Sequence, residues 1–239
     1  MTFEILFGRL YAVWQYLMKG LIIISRRIKY FAGQKETHPI KDQREIDALY
    51  GYFIKKMNSA KSDIKKYQAE RNYMLVHIGL NTAFRAEDLL QLRVIDVKKG
   101  YVHIKENKTG KMQNFKMNKK LHNDILDYVS KYNLGDYDYL FMGQKQYVNG
   151  RKYIYPITRQ QGHKIVTQAG KAIGIPYTFG LHSLRKTFGY QYMKNKGNVL
   201  TLMKMYNHDS PDVTMRYVQW GREDAEHDRE AMYIGPKGR

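Results

Sequence analysis

The sequence predicts a mainly α-helical fold that carries one small antiparallel three-stranded β-sheet. Apolar residues recur at three- and four-residue spacing, between capping signals, over most of the chain after residue 40. Short β-type runs, separated by turns rich in lysine and glycine, are confined to residues 94–117. A third observation concerns partners. Lys and Arg together number 41 against 22 Asp and Glu, a net charge of +19. A surplus spread along a chain favours a polyanion, most often nucleic acid; a merely soluble basic protein, or one resting on anionic lipid, is the alternative. The chain has no cysteine, which excludes disulfides, thiolate nucleophiles and cysteine zinc sites, and fits a reducing cytoplasm.

The chain partitions into an extension and linker, residues 1–39, and one compact domain, residues 40–239, with a C-terminal tail from about 222. Phe3 to Ile24 is apolar, but Arg9 and Lys19 interrupt it. A spanning helix needs about 20 consecutive, mostly apolar residues, so no membrane crossing is expected. The start has no basic region or small-residue cleavage site of a secretory signal. Leu6, Leu10, Val13, Leu17 and Leu21 fit an amphipathic helix, followed by a basic patch of Arg26, Arg27 and Lys29. That segment can pack on the main domain, on another subunit, on DNA or on a membrane surface. Pro39 biases His38 away from helix and marks the linker.

Asp42 caps a helix to about Met57, with Ile46, Leu49, Tyr50 and Phe53 on one face. A second helix runs from about Ser62 to Leu80 and buries Tyr67, Tyr73, Met74 and Ile78. Thr82 to Leu92 reads as a turn entering a short helix. Glu87 and Asp88 suit its positive end, whereas Arg85 there faces the dipole unless both address an anion. The three β candidates are Val94–Val97, Tyr101–Lys105 and Gln113–Met117, with Lys108 at the tip of the hairpin formed by the last two. Asn118 caps a helix to about Tyr132, and Tyr139–Met142 is a short buried segment. Tyr147–Pro156 reads as a basic, Tyr-rich loop containing Arg151 and Lys152. Thr158 caps a helix to about Ala172.

The last third holds the chemistry. Ser183 to Lys194 is a helix with His182 at its mouth, and residues three apart share a face, so His182 and Arg185 address one ligand. A helix from Asn198 to Tyr206 ends at Asn207 and His208. Ser210 caps another with Pro211 at its first position, placing Val213 and Tyr217 on one face, with Val213 buried. The acid-rich run from Glu223 to Glu230 reads as a solvated helix and not as a metal site. Taken singly, each of these residues has an ordinary structural explanation.

Together they resemble the catalytic domain of the tyrosine recombinase (phage integrase) family. Its pattern is an Arg in a short helix, a Lys on a β-hairpin, His-x-x-Arg, a His or Trp, and a Tyr. TAFRAEDLLQL supplies Arg85, KENKTGK supplies Lys108, LHSLRKTF supplies His182 and Arg185, and YNHDSPDVTMRYV supplies His208 and Tyr217. The likeness covers about residues 40–220, with all six in order. Where the family has Glu three residues after the first Arg, this chain has Asp88, a supporting carboxylate. Most members also carry a helical core-binding domain that closes a clamp around DNA; at most the first 40 residues stand in its place here.

The resemblance implies a site-specific recombinase acting on double-stranded DNA through a 3′-phosphotyrosyl intermediate, with no cofactor and no metal. Tyr217 is the implied nucleophile, Arg85 and Arg185 the phosphate clamp, Lys108 the acid for the 5′-oxygen and His208 a phosphate ligand. His182 would take the tyrosine proton or orient a water. Lys105, Lys111, Arg151, Lys152, Arg159 and Lys186 are the further DNA contacts expected. The resemblance also implies a homo-oligomer, a tetramer on DNA with tail exchange, helped by accessory DNA-bending proteins. It implies a cytoplasmic, DNA-associated protein of bacterial, phage or plasmid origin. A type IB topoisomerase-like relaxing enzyme and a non-catalytic DNA-binding regulator are the other readings.

Overall fold

The computed structural model of the protein describes residues 36–148 and 151–234, with the side chains of 144–148 and 151–153 excepted. Residues 37–239 form one compact unit. The expected N-terminal amphipathic helix and its basic patch lie outside the described residues. Among those described, no helix is long and apolar enough to cross a membrane.

Two helices frame the core. Helix α1 (Gln43–Asn58) starts where the Asp42 carboxylate accepts from the Arg44 amide, and it buries Leu49 and Phe53. Helix α2 (Asp63–Asn81) is capped by Ser62, and its second half is buried from Met74 to Leu80, apart from His77. It packs against α1 and against α7 (Leu181–Lys194), so the later helix lies at the centre of the domain. Between them in sequence come α3 (Ala86–Leu90), α4 (Val94–Val97), the hairpin β1 (Tyr101–Lys105) and β2 (Met112–Lys116), and α5 (Lys119–Lys131). The hairpin is antiparallel, in register from Tyr101 opposite Lys116 to Lys105 opposite Met112. A second hairpin, β3 (Met142–Val148) and β4 (Arg151–Pro156), precedes α6 (Arg159–Ala172).

The mainly helical fold with antiparallel β-structure is as expected, but its strands are differently distributed. Val94–Val97 is a helical turn, not a strand. The Asp96 carboxylate takes the Arg93 amide at 2.8 Å, and that local bond closes the turn despite three β-branched residues. The first sheet is therefore two-stranded. Residues 147–148 and 151–156, expected as parts of a loop, belong to the second hairpin. Asn149-Gly150, the sequence preferred in tight hairpin turns, was the signal for it.

Three short helices follow among the described residues: α8 (Val199–Tyr206), α9 (Pro211–Val218) and α10 (Arg222–Glu230). Asn198, expected as the first residue of α8, caps it instead, and Ser210 caps α9 with Pro211 at its first position, as the sequence indicates. The face of α9 is turned from the expected one. Thr214 and Val218 point inward, Tyr217 is half-buried and Val213 is exposed. Leu202, Tyr206 and Val218 form a small separate core with Phe188, Tyr192, Tyr217 and Trp220 around it.

Gly189 on α7 is what lets this second core close. A Cβ there would overlap the Tyr206 hydroxyl and the Val218 methyl at once. Overpacking of this kind destabilises by about 1–3 kcal/mol. Gly189→Ala is expected to lower the urea midpoint correspondingly, with an unchanged denaturant slope.

Candidate active site

Arg85 occupies the N-cap position of α3, with its side chain largely buried. The dipole of that helix opposes it, and the compensation comes from Glu106 at the end of β1. The Glu106 carboxylate, almost fully buried, forms a close ion pair with Arg85 and accepts from Thr109 and from Gln113 Nε2 at 2.8 Å. Burial alone would raise its pKa. The three donors and the arginine charge outweigh burial and hold it down to about 2.

Arg185 comes from the middle of α7, 2% exposed. One Nη donates to the Ala83 carbonyl and the other to the Tyr206 carbonyl at 3.0 Å, while the guanidinium stacks 4.2 Å from the Tyr206 ring centroid. Burial pulls its pKa down from the usual value. Arg85 reaches the same Tyr206 carbonyl at 3.4 Å. Tyr206 is the last residue of α8, and terminal carbonyls lack intrahelical partners and carry the negative end of the dipole. Two guanidinium groups from distant segments therefore converge on one helix end.

The same helix end launches the remaining groups. Asn207 adopts the left-handed conformation at φ 52°, which turns the chain so that His208 packs on Tyr206. The Tyr217 ring stands edge-on to both, 5.5 Å from the Tyr206 ring and 5.3 Å from His208. Burial pushes the Tyr217 hydroxyl pKa up, against the opposing pull of Arg185 and Arg85. His208 Nδ1 lies 3.1 Å from Thr214 Oγ1, whose own hydroxyl donates to the Ser210 carbonyl. Burial, then Arg185 and Arg85, bring the His208 pKa down to about 4.

His182 is the second residue of α7, which starts two residues earlier than expected. Its Nε2 is 3.3 Å from Arg159 Nη2, and Arg159 Nη1 pairs with Glu87 at 3.2 Å. Burial, followed by Arg159 and Arg185, lowers its pKa to about 4. Lys108 is exposed on the turn between β1 and β2, near enough for its charge to act on His182. Asp88 holds that turn in place: its buried carboxylate accepts the Asn107 amide at 2.9 Å, and burial raises its pKa. The shortened carboxylate thus ties α3 to the residue next to Lys108.

These shifts have a consequence for stability. An unfolded histidine binds a proton below about 6.5, whereas folded His182 and His208 stay neutral down to about 4. Between those values the unfolded state holds more protons, so stability falls as pH falls, by at most about 3 kcal/mol per histidine. Glu106 adds a loss only below its ordinary value of 4.5, toward 2. Urea unfolding is expected to show a steep decline from pH 6.5 to 4, flattened in a His182→Gln/His208→Gln double variant.

The other basic residues divide. Lys105 is exposed, as a DNA contact requires. Lys111 is exposed but engaged, donating to the Asn207 carbonyl at 3.1 Å and to Asp209 at 2.9 Å. Arg159 is committed to Glu87 and His182. Lys186 is not a surface residue: it is 6% exposed and donates to the Thr37 carbonyl at 2.7 Å. The DNA contact expected at Lys186 does not fit this position, because α7 is buried on most of its circumference. Arg151 and Lys152 lie on β4, their side chains outside those described. Sequence reasoning missed Glu106, the Tyr206 carbonyl and Thr214. Only the Glu106–Lys111 turn chemistry offered a signal for any of them.

Comparison with known proteins bears on the whole arrangement. The sequence model of the Phage integrase family matches residues 48–223. The probable integrase/recombinase YoeC of Bacillus subtilis (strain 168) is 34% identical over 183 residues, 76% of this chain and 89% of that protein. The crystal structure of XerA recombinase is similar with a TM-score of 0.60 and 18% identity, covering 83% of this chain and 65% of that one. XerH site-specific recombinase bound to palindromic difH substrate gives 0.60 and 21%, covering 83% and 53%. The chain thus spans between half and two-thirds of these solved structures, whose likeness at such identities is one of fold. With the family match covering most of its length, the chain belongs to the phage integrase family, the site-specific tyrosine recombinases, enzymes that cleave and rejoin DNA.

Proposed function

We propose that Arg85, Lys108, His182, Arg185, His208 and Tyr217 perform strand cleavage and rejoining on double-stranded DNA in this recombinase. The observation that carries the reading is the convergence of two arginines and Tyr217 around the end of α8. Arg85 and Arg185 bring two positive charges into a half-buried site whose one fully engaged carboxylate is Glu106. A phosphodiester supplies the missing negative charge, and planar guanidinium groups match its two non-bridging oxygens.

Phosphoryl transfer asks for positioning and charge stabilisation above all. Tyr217 Oη bonds to phosphorus as the P–O5′ bond breaks, and Lys108 delivers a proton to the departing 5′-oxygen. The 3′-phosphotyrosyl link conserves the bond, so another 5′-hydroxyl reverses the step and frees Tyr217. No cofactor or metal enters this scheme. A groove of about 800 Å³, bordered by Glu87, Asn107, Tyr139 and Arg159, offers room for duplex next to the hairpin turn in this reading.

Residues 1–39 act as an extension in this reading, and 40–239 as the catalytic domain. Met232, Tyr233 and Ile234 are 67%, 79% and 88% exposed beyond α10. A run of apolar side chains left in solvent suits a tail that docks on a neighbouring subunit, as a tetramer on DNA requires. Accessory DNA-bending proteins and a cytoplasmic location belong to the same proposal.

The test is trapping of a covalent adduct on a nicked duplex carrying the cognate site. Plasmid relaxation without exchange between two sites would favour the topoisomerase-like alternative, and DNA binding with no adduct on any site the regulator. Binding itself is expected to be strongly salt-dependent. With six or more phosphate contacts, affinity falls by about 10³-fold or more between 50 and 200 mM salt. A flat response in a filter-binding titration would remove the proposed surface.

A further inference from the structure

The turn that carries Lys108 is held on both sides of it. Asn107, just before, gives its amide to the Asp88 carboxylate of α3 at 2.9 Å. Thr109, just after, gives its hydroxyl to the Glu106 carboxylate. Glu106 also closes the turn through its backbone. Its amide donates to the Lys111 carbonyl and its carbonyl accepts from the Gly110 amide, both at 2.9 Å. A lysine stem is long and flexible, so the backbone beneath it is what the fold can fix.

The same carboxylate reaches the phosphate clamp. The oxygen that takes the Thr109 hydroxyl also pairs with Arg85. The other oxygen accepts from Gln113 Nε2 at 2.8 Å, and that nitrogen donates to the Met205 carbonyl at 3.1 Å. Met205 precedes Tyr206, whose carbonyl both arginines reach. Glu106, with 1% of its side chain exposed, thus joins the turn, one clamp arginine and the end of α8. Burial opposes its ionisation, but Gln113, Thr109 and Arg85 keep it charged. Neutralising Arg85 requires only the ion pair. The shared bond to Thr109 is a further tie that charge balance does not ask for.

We propose that Glu106 is a positioning residue for DNA cleavage: one carboxylate fixes Arg85 and, through Thr109, the turn of Lys108, so that the phosphate clamp and the leaving-group acid keep a set spacing. The proposal rests on the functional reading above, in which Lys108 protonates the departing 5′-oxygen. When the turn loosens, Lys108 remains present and charged but strays from that oxygen, and a misplacement of about 1 Å costs about 10²-fold in rate.

The experiment compares two nicked duplexes of the cognate site, one natural and one with sulfur replacing the bridging 5′-oxygen. On the second, Tyr217 Oη bonds to phosphorus, the P–S5′ bond breaks and the sulfur leaves as a thiolate. That group needs no acid, because a thiol ionises near about pH 8.5. The Tyr217 proton is lost in the same way on both duplexes. Lys108→Ala is expected to fall by about 10²–10⁴-fold on the natural duplex and to recover on the sulfur duplex. Thr109 is exposed, so valine, of the same shape, fits there and removes only the tie to Glu106. Thr109→Val is expected to fall by about 10²-fold on the natural duplex, to recover on sulfur and to add nothing to Lys108→Ala. Thr109→Ser restores the natural rate. Glu106→Gln, which also releases Arg85, is expected to lose more and to recover only in part; if it does not fold, Thr109→Val decides alone. Arg185→Gln gains nothing from sulfur. A Thr109→Val variant that cleaves the natural duplex at the wild-type rate, loses equally on both duplexes or adds its loss to Lys108→Ala overturns the inference and leaves the functional reading intact. A Lys108→Ala variant that gains nothing from sulfur overturns both.

Discussion

Tyr217→Phe is expected to bind DNA as the wild type does and to form no covalent adduct, a rate loss of at least about 10⁴-fold. The phenol ring contributes its edge-on contacts with Tyr206 and His208, and phenylalanine keeps both. What disappears is the oxygen that bonds to phosphorus. Folding stability is therefore expected within about 1.5 kcal/mol of wild type, since a single hydroxyl hydrogen bond contributes about that much net. Single-turnover cleavage on a nicked duplex, read alongside urea unfolding, separates the two effects. The neighbouring Tyr206 cannot substitute. Its ring is fully buried and its hydroxyl donates to the Arg185 carbonyl at 2.5 Å.

Arg185→Gln is expected to lower cleavage by about 10²–10³-fold, the usual loss for one donor to a developing anion. It is also expected to destabilise the domain by about 1–3 kcal/mol. The Ala83 and Tyr206 carbonyls each lose a donor at a buried position. Arg185→Lys is expected to recover part of the stability but little of the rate. An ammonium group offers a point charge and cannot span two carbonyls and a phosphate at once. Adduct yield and unfolding free energy, measured on both variants, distinguish loss of the phosphate clamp from simple loss of fold.

Most helices could be read before the structure was known because their signals are local. Asp42, Asn118, Thr158 and Ser210 each cap where sequence places them. The failures are also local in origin. Val94–Val97 has β-branched composition, yet one Asp96 carboxylate decides its conformation. The second hairpin was announced by Asn149-Gly150 and hidden by the basic, Tyr-rich composition around it. The six candidate residues were legible as types in an order. Their supports were not. Glu106 meets Arg85 across the hairpin, and Arg159 meets His182 from another helix 23 residues away. Periodicity carries no information about which acid neutralises which arginine, nor about a carbonyl such as that of Tyr206. Lys186 shows the converse: a charged residue beside a functional one, turned inward because its helix is central.

The central claim is that one tyrosine among 21 forms the bond to DNA. It is tested most directly by digesting the trapped adduct with trypsin and identifying the modified peptide by mass spectrometry. The expected product is the peptide containing Tyr217, joined through its phenolic oxygen to a 3′-phosphate, with a free 5′-hydroxyl on the released strand. A nucleotide found on Tyr206 or any other tyrosine, or a 5′-phosphotyrosyl link, would contradict the account.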